Sequence, residues 1–230
     1  NNCRILMYHA VGTEVPGDIQ KLYNMPVKIF RQQIEQLAYF QRSGSLCIYD
    51  LTVGVETSSG LVITFDDGYL DNFTVAAPIL IKYELPFTVF VAPKLILDGD
   101  TRYLSIAALK ELAALPGVTI GGHGYSHRRL TELDDQVLKN ELLDSRSWLE
   151  DIIDKPVLTM SYPHGAVDER VLGFVTDLGF TTAASSKFGV FNREHSRLSL
   201  PRTDIWARDT LKRFNSKLGG AWDWMTYFSQ

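Results

Sequence analysis

Long apolar runs are missing from this 230-residue chain. None approaches the roughly 20 consecutive apolar residues that a membrane-spanning helix needs. An excess of positive charge is missing too. The 23 Lys and Arg against 27 Asp and Glu leave a formal net charge of −4. Composition therefore builds no basic face of the kind that nucleic acid or an anionic membrane surface requires. Cysteine is scarce. Cys3 and Cys47 could pair in an oxidising compartment, but they fit equally well as two free thiols, so the compartment stays open. No secretory leader is visible: the chain passes from Asn1-Asn2-Cys3-Arg4 straight into apolar residues, which fits a leader that is absent or already removed. What is present is an ordinary globular composition, 45% hydrophobic and 22% charged. It is enough for a sizeable core in a single domain spanning 1–230, with no anticipated oligomeric state.

Apolar, strand-like runs recur at 5–8, 61–65, 87–91, 118–120, 157–160 and 180–184. Helical patterns lie between most of them. Residues 27–40 place Phe30, Ile34, Leu37 and Ala38 on one face, and 133–152 do the same with Val137, Leu138, Leu142, Leu149 and Ile152, with Thr131 or Asp134 as the cap. Shorter helices are expected at 72–83, 105–115 and 167–178. The stretch 53–60, rich in Ser, Thr and Gly, is expected as a loop. Strands alternating with helices mean parallel strands with crossover helices, in either a closed βα barrel or an open doubly wound sheet. In a closed barrel the strand C-termini share one rim, where such barrels carry their active sites.

Two pairs of residues fall at strand ends. Asp66 and Asp67 follow the run Leu61-Val62-Ile63-Thr64-Phe65 and precede Gly68. Neighbouring strand side chains point to opposite faces, so both acids can serve one site only if the chain bends there, which Gly68 permits. His123 and His127 follow a second strand-like run, inside Gly121-Gly122-His123-Gly124-Tyr125-Ser126-His127. Two imidazoles four apart can face one point, and with one carboxylate they make a three-ligand His-His-Asp set with a position left for water, the arrangement of a catalytic metal. Taken singly, the acids also fit a solvated turn, and the histidines fit surface or capping positions.

Thr64-Phe65-Asp66-Asp67-Gly68, His123-x-x-x-His127 and Ser161-Tyr162-Pro163-His164-Gly165 together resemble the first three motifs of the polysaccharide deacetylases, the carbohydrate esterases of family four with the NodB homology domain. They stand in the family's order, and the likeness covers roughly residues 4–202. The resemblance implies a distorted α/β barrel, (β/α)7. It implies that Asp67, His123 and His127 hold a divalent metal, with zinc suiting the ligands and nickel or cobalt fitting too. It further implies that Asp66 is the general base, and that the Tyr162 backbone N–H helps bind the oxyanion, with Pro163 and Gly165 fixing that turn and Pro163 also expected to line the substrate site.

Two departures matter. Many relatives carry an arginine in the third motif where this chain has Ser161; the chain is similar to a branch, containing biofilm and O-antigen-locus deacetylases, that also lacks it. Arg202, in Leu200-Pro201-Arg202-Thr203, is the candidate substitute, against a plain salt bridge at the barrel end. The usual C-terminal His-Asp motif is also absent, since no histidine follows His195. Ile5-Leu6-Met7-Tyr8-His9 offers one at the other end of the chain. In a closed barrel the first and last strands are neighbours, so His9 reaches the same rim and becomes the candidate general acid. His164 either contacts sugar or fills the rim. Trp206 is the candidate sugar platform among several tryptophans, since aromatic faces pack on pyranose rings, while 219–228 fits a barrel cover or an oligomer contact.

The expected activity is metal-dependent removal of N-acetyl groups from amino sugars of a cell-envelope or exported polysaccharide. Two alternatives stand beside it: a cyclic amide or ureide hydrolase of the same superfamily, against which the intact ligand set argues, and a carbohydrate-binding relative without turnover, against which Asp66 and His9 argue.

Overall fold

Residues 2–57 and 59–228 are described by the computed structural model. The strands are β1 (Cys3–Tyr8), β2 (Ile48–Tyr49), β3 (Gly60–Phe65), β4 (Phe87–Val91), β5 (Val118–Gly122), β6 (Thr159–Ser161), β7 (Thr182–Phe188) and β8 (Leu200–Asp204), all pairing in parallel. Strands β3 to β8 pair in chain order. β1 then closes the ring, with Leu6 and Met7 beside Thr203 and Asp204 of β8 and its full length against β3, from Cys3 opposite Gly60 to Tyr8 opposite Phe65. The result is the expected seven-stranded barrel. The two-residue β2 lies outside the ring, bordering the start of β3 on the side that β4 takes over at Thr64 and Phe65. Distortion is visible at two places: β5 meets β6 only through Gly122 opposite Met160, and the register of β7 shifts between Ala184 and Phe188.

Alternation along each strand divides the core into two layers. Leu6 and Tyr8 of β1, Leu61, Ile63 and Phe65 of β3, and Val89 of β4 pack outward under the helices. Ile5, Val62, Phe90, Ala184 and Leu200 form a separate cluster. Helices α1 (Val27–Arg42), α3 (Ala77–Lys82), α4 (Pro93–Leu97), α5 (Ile106–Ala114), α6 (Asp135–Ile153), α7 (Glu169–Asp177) and α8 (Leu211–Leu218) cover the outer layer, while α2 (Leu51–Thr57) packs on the inner one. α1 buries Phe30, Ile34, Leu37 and Ala38, the face its periodicity predicts. Each large apolar side chain buried this way contributes on the order of 1.5–3 kcal/mol. Of the two cap candidates for α6, Asp134 is the one used, accepting a hydrogen bond from the Val137 N–H.

Residues 53–60 depart from expectation. Most of that stretch belongs to α2, whose Leu51 and Val55 join Cys3 and Val62 in the inner cluster and stop the barrel near the end where the strands begin. Gly54 makes this possible, because a Cβ there would lie 2.4 Å from Val62 Cγ2. Burial overrode the loop-like composition. Cys3 lies in this plug and Cys47 is exposed, and both are free thiols; burial pushes the Cys3 thiol up to about 12. Among the described residues no helix is long and apolar enough to cross a membrane.

Candidate active site

The end of β3 turns sharply. Asp66 still donates its N–H to the Tyr8 carbonyl as a rung between β3 and β1, at 3.0 Å. Asp67 and Gly68 then both adopt left-handed backbone, φ +73° and +74°. The bend expected of Gly68 is therefore shared by Asp67, and it turns two consecutive carboxylates toward one pocket. His127 (φ +59°) and His164 (φ +56°) are left-handed as well. Non-glycine residues held this way cost of order 1 kcal/mol or more each and cluster at functional sites.

Asp67, His123 and His127 converge. Asp67 Oδ1 lies 3.3 Å from His123 Nε2 and 3.1 Å from His127 Nε2, and one ligand atom from each of the three residues falls within 4.8 Å of the others. Donors placed tetrahedrally around an ion at 2.0–2.1 Å stand roughly 3.3 Å apart, so the three residues fit a zinc-sized divalent ion. The tautomer also fits. His123 Nδ1 donates to the Ser161 carbonyl at 2.9 Å and lies 2.8 Å from Ser161 Oγ, which leaves Nε2 as the bare donor. Ser161, standing where many relatives have arginine, thus orients one of the three candidate donors. Burial alone would lower the His123 pKa, but the adjacent Asp67 and Asp66 carboxylates carry it up, favouring a second proton on the ring when no cation stands between them. For Asp67 burial works upward, and its bonds to both histidines hold it well below the usual carboxylate range.

The loop carrying the histidines hangs on Glu141, which sequence reasoning missed. From α6 its carboxylate accepts hydrogen bonds from the Tyr125 and Ser126 N–H groups, at 2.8 and 2.9 Å, and from the Ser126 hydroxyl. The signal was available. Glu141 interrupts the apolar stripe of Leu138, Leu142 and Leu149, and a carboxylate on a buried helix face asks for donors.

Arg202 and Asp66 pair inside the barrel. Nη1 and Nη2 each reach one carboxylate oxygen at 2.7 Å, while Nε donates to the Ser185 carbonyl and Nη1 also to Thr64 Oγ1. Burial pushes the Asp66 carboxyl up, and the Arg202 guanidinium together with His123 and His9 more than offsets it, so the net shift is downward. Both acids line a pocket of about 410 Å³ with His9, Tyr23, His127, Arg129, His164 and Asp204 among its walls. The His9 ring packs against Tyr23 with centroids 4.4 Å apart. Burial lowers its pKa, and the attraction of Asp67 and Asp66 only partly restores it. Asp204, two residues beyond Arg202 on β8, is an acid that sequence reasoning passed over. Burial pushes its carboxyl up to about 6, and its Oδ1 has no hydrogen-bond partner.

Three expected site residues are placed differently. Tyr162 donates its N–H to the Ala184 carbonyl at 3.0 Å, between β6 and β7, and its hydroxyl to the Leu198 carbonyl, so that N–H is not free for an oxyanion. Pro163 is buried and off the pocket wall, packed toward Gly124. Trp206 is also off the wall: the buried Lys217 Nζ sits 3.9 Å from its ring centroid, and Trp222 packs edge-on to it. His164 does line the pocket, its ring 4.6 Å from that of His127. His195 stays in its loop, bonded to Asn192.

The family model described as polysaccharide deacetylase matches residues 55–183, a span holding Asp66, Asp67, His123 and His127. The Bacillus subtilis protein YxkH is 27% identical over 202 residues, 87% of this chain and 70% of that protein. A peptidoglycan-N-acetylglucosamine deacetylase of Bacillus cereus is 28% identical over 123 residues, 53% of this chain and 54% of that protein. Among solved structures, the Streptococcus pyogenes deacetylase PplD in complex with acetate superposes with a TM-score of 0.82 at 22% identity, covering 94% of this chain and 97% of that one, and so shares the fold. The barrel, its rim of motif residues and a family match over more than half of its length agree: this chain belongs to the polysaccharide deacetylase family.

Proposed function

We propose that the protein is a metal-dependent hydrolase that removes N-acetyl groups from amino sugars of a cell-envelope or exported polysaccharide, the whole chain forming one catalytic domain. A single observation carries the reading. One pocket brings Asp67 and His127 together with a second carboxylate, Asp66, and an imidazole, His9, and the third donor, His123, lies 3.3 Å from Asp67. When bound, a divalent ion, for which zinc suits the two nitrogens and one oxygen and nickel or cobalt would serve, supplies Lewis acidity that polarises the acetyl carbonyl and acidifies water.

The chain's own residues do the rest. Asp66 is held by Arg202 with both oxygens oriented, and its lowered pKa keeps it ionised at neutral pH, ready to take the proton of the attacking water. His9 then gives a proton to the departing amine. Its lowered pKa favours the neutral imidazole at rest, so His9 donates after taking up one proton from solvent, and the proton on Asp66 returns to solvent at the end of the cycle. With the Tyr162 N–H committed to Ala184, that group takes no part in binding the developing oxyanion. His164 and Tyr23 are the wall residues placed to touch sugar.

The test is acetate release from short N-acetylglucosamine oligomers. Protein stripped with a chelator should be inactive and should recover on addition of zinc. Metal-loaded protein that binds the oligomers without releasing acetate would favour the carbohydrate-binding alternative instead.

A further inference from the structure

β1 ends at Tyr8, so His9 lies just past the last rung of the barrel. Two consecutive residues from another segment, Asp71 and Asn72, hold the chain from His9 to Thr13. Asn72 Nδ2 donates to the His9 carbonyl at 2.8 Å, and Asp71 Oδ2 accepts from the Val11 and Thr13 N–H groups at 2.8 and 2.9 Å. Asn72 Nδ2 is also 3.2 Å from Asp71 Oδ1. Both neighbours of that nitrogen are acceptors, so only the amide NH₂ can face them, and Asn72 Oδ1 is left buried without a partner. Asn72 is fully buried and opens a π-helical turn, Asn72–Ala76, a widened turn that often marks functional sites. It stands five residues after Asp67 in the same segment.

We propose that Asp71 and Asn72 are positioning residues that set His9 in register with Asp66 and the three metal donors. The proposal rests on the reading of His9 as the proton donor. The His9 ring packs on Tyr23, so the placement of its imidazole follows that of its backbone. The segment leaving β3 then carries the base, one metal donor and the clamp on the acid. A displacement of about 1 Å at a reacting group can cost on the order of a hundredfold in rate.

The experiment compares wild type, Asn72→Ala, Asn72→Asp, His9→Ala and the double variant His9→Ala/Asn72→Ala, all reconstituted with zinc. The substrates are an N-acetylglucosamine trimer and 4-nitrophenyl acetate, an ester whose leaving group needs little protonation. Asn72→Ala should lower kcat on the trimer by roughly tenfold to a hundredfold with KM and zinc stoichiometry unchanged, and should leave ester hydrolysis nearly intact. Asn72→Asp, of the same shape but with oxygen facing oxygen, should do the same, and it stands in if Asn72→Ala fails to retain zinc. In the His9→Ala background the Asn72 substitution should have almost no further effect. An Asn72 penalty equally large with and without His9, or none in wild type, overturns the clamp while leaving His9 as acid. Full trimer turnover by His9→Ala overturns both.

Discussion

Arg202 meets Asp66 nitrogen to oxygen, two 2.7 Å bonds between residues 136 apart in sequence, with neither side chain more than 4% exposed. An ion pair this deep is oriented on every side: Ser185 and Thr64 occupy the remaining directions of the guanidinium, and its central carbon lies 5.7 Å from the Phe90 ring centroid. The base of the proposed reaction is fixed by geometry as much as by charge.

Arg202→Ala should therefore destabilise the fold by about 3–5 kcal/mol at neutral pH, because it strands a buried carboxylate. The pair holds Asp66 below its unfolded value. Its stabilisation is present above the unfolded carboxylate pKa, near 3.9, and is lost as pH falls through the lower folded value. The Tm deficit of the variant should be large at pH 7 and shrink toward pH 3, as scanning calorimetry across pH will read.

The two adjacent acids should separate by role. Asp66→Asn is expected to keep bound zinc and lose roughly a hundredfold to ten-thousandfold in kcat. Asp67→Asn and His127→Ala are expected to lose zinc and activity together with the barrel intact. Elemental analysis beside circular dichroism decides this, and zinc loss in Asp66→Asn with retention in Asp67→Asn would reverse the assignment.

Glu141→Gln removes the carboxylate that gathers three donors from the histidine loop. Supporting residues of this kind are worth roughly 10–100-fold in metal affinity. Calorimetric titration with zinc should show that loss. An unchanged dissociation constant would mean the loop holds its shape unaided.

Asp204 runs opposite to Asp66 in its response to pH. Its folded pKa is raised to about 6, so the stability linked to it is complete below the unfolded value and is lost as pH climbs through the folded one. Asp204→Asn should melt higher than wild type at pH 8, by a margin of order 1–3 kcal/mol, and no higher at pH 4.

Much of this architecture is legible in the sequence. Hydrophobic runs locate most of the barrel strands, and the strand-end positions of Asp66, Asp67, His123 and His127 point to one rim. His9 and Arg202 emerge as the groups that could replace absent motif residues. Other features have no local signature. The α2 plug comes from a stretch whose composition favours a loop, and its helicity depends on contacts with Val62 on the following strand and with Cys3, far earlier in sequence. The Tyr162 N–H departs from its expected role because the commitment of a backbone N–H depends on which strand lies alongside, and Ala184 becomes its partner only in the closed sheet. Trp206 departs from the expected sugar platform because nothing in sequence places the Lys217 ammonium against its ring.

The closure of the barrel by β1 also bears on how the protein comes into being. β1 has one neighbour in β3 and the other in β8, and Arg4 reaches as far as Thr203 and Asp223. Contacts this distant in sequence form slowly, because the intervening chain must first be ordered. Arg202 arrives on the same late strand that seats β1. A nascent or clipped chain lacking β8 has Asp67, His123 and His127 but neither the partner of Asp66 nor the second neighbour of the strand leading to His9, so the proposed hydrolysis is tied to completion of the ring.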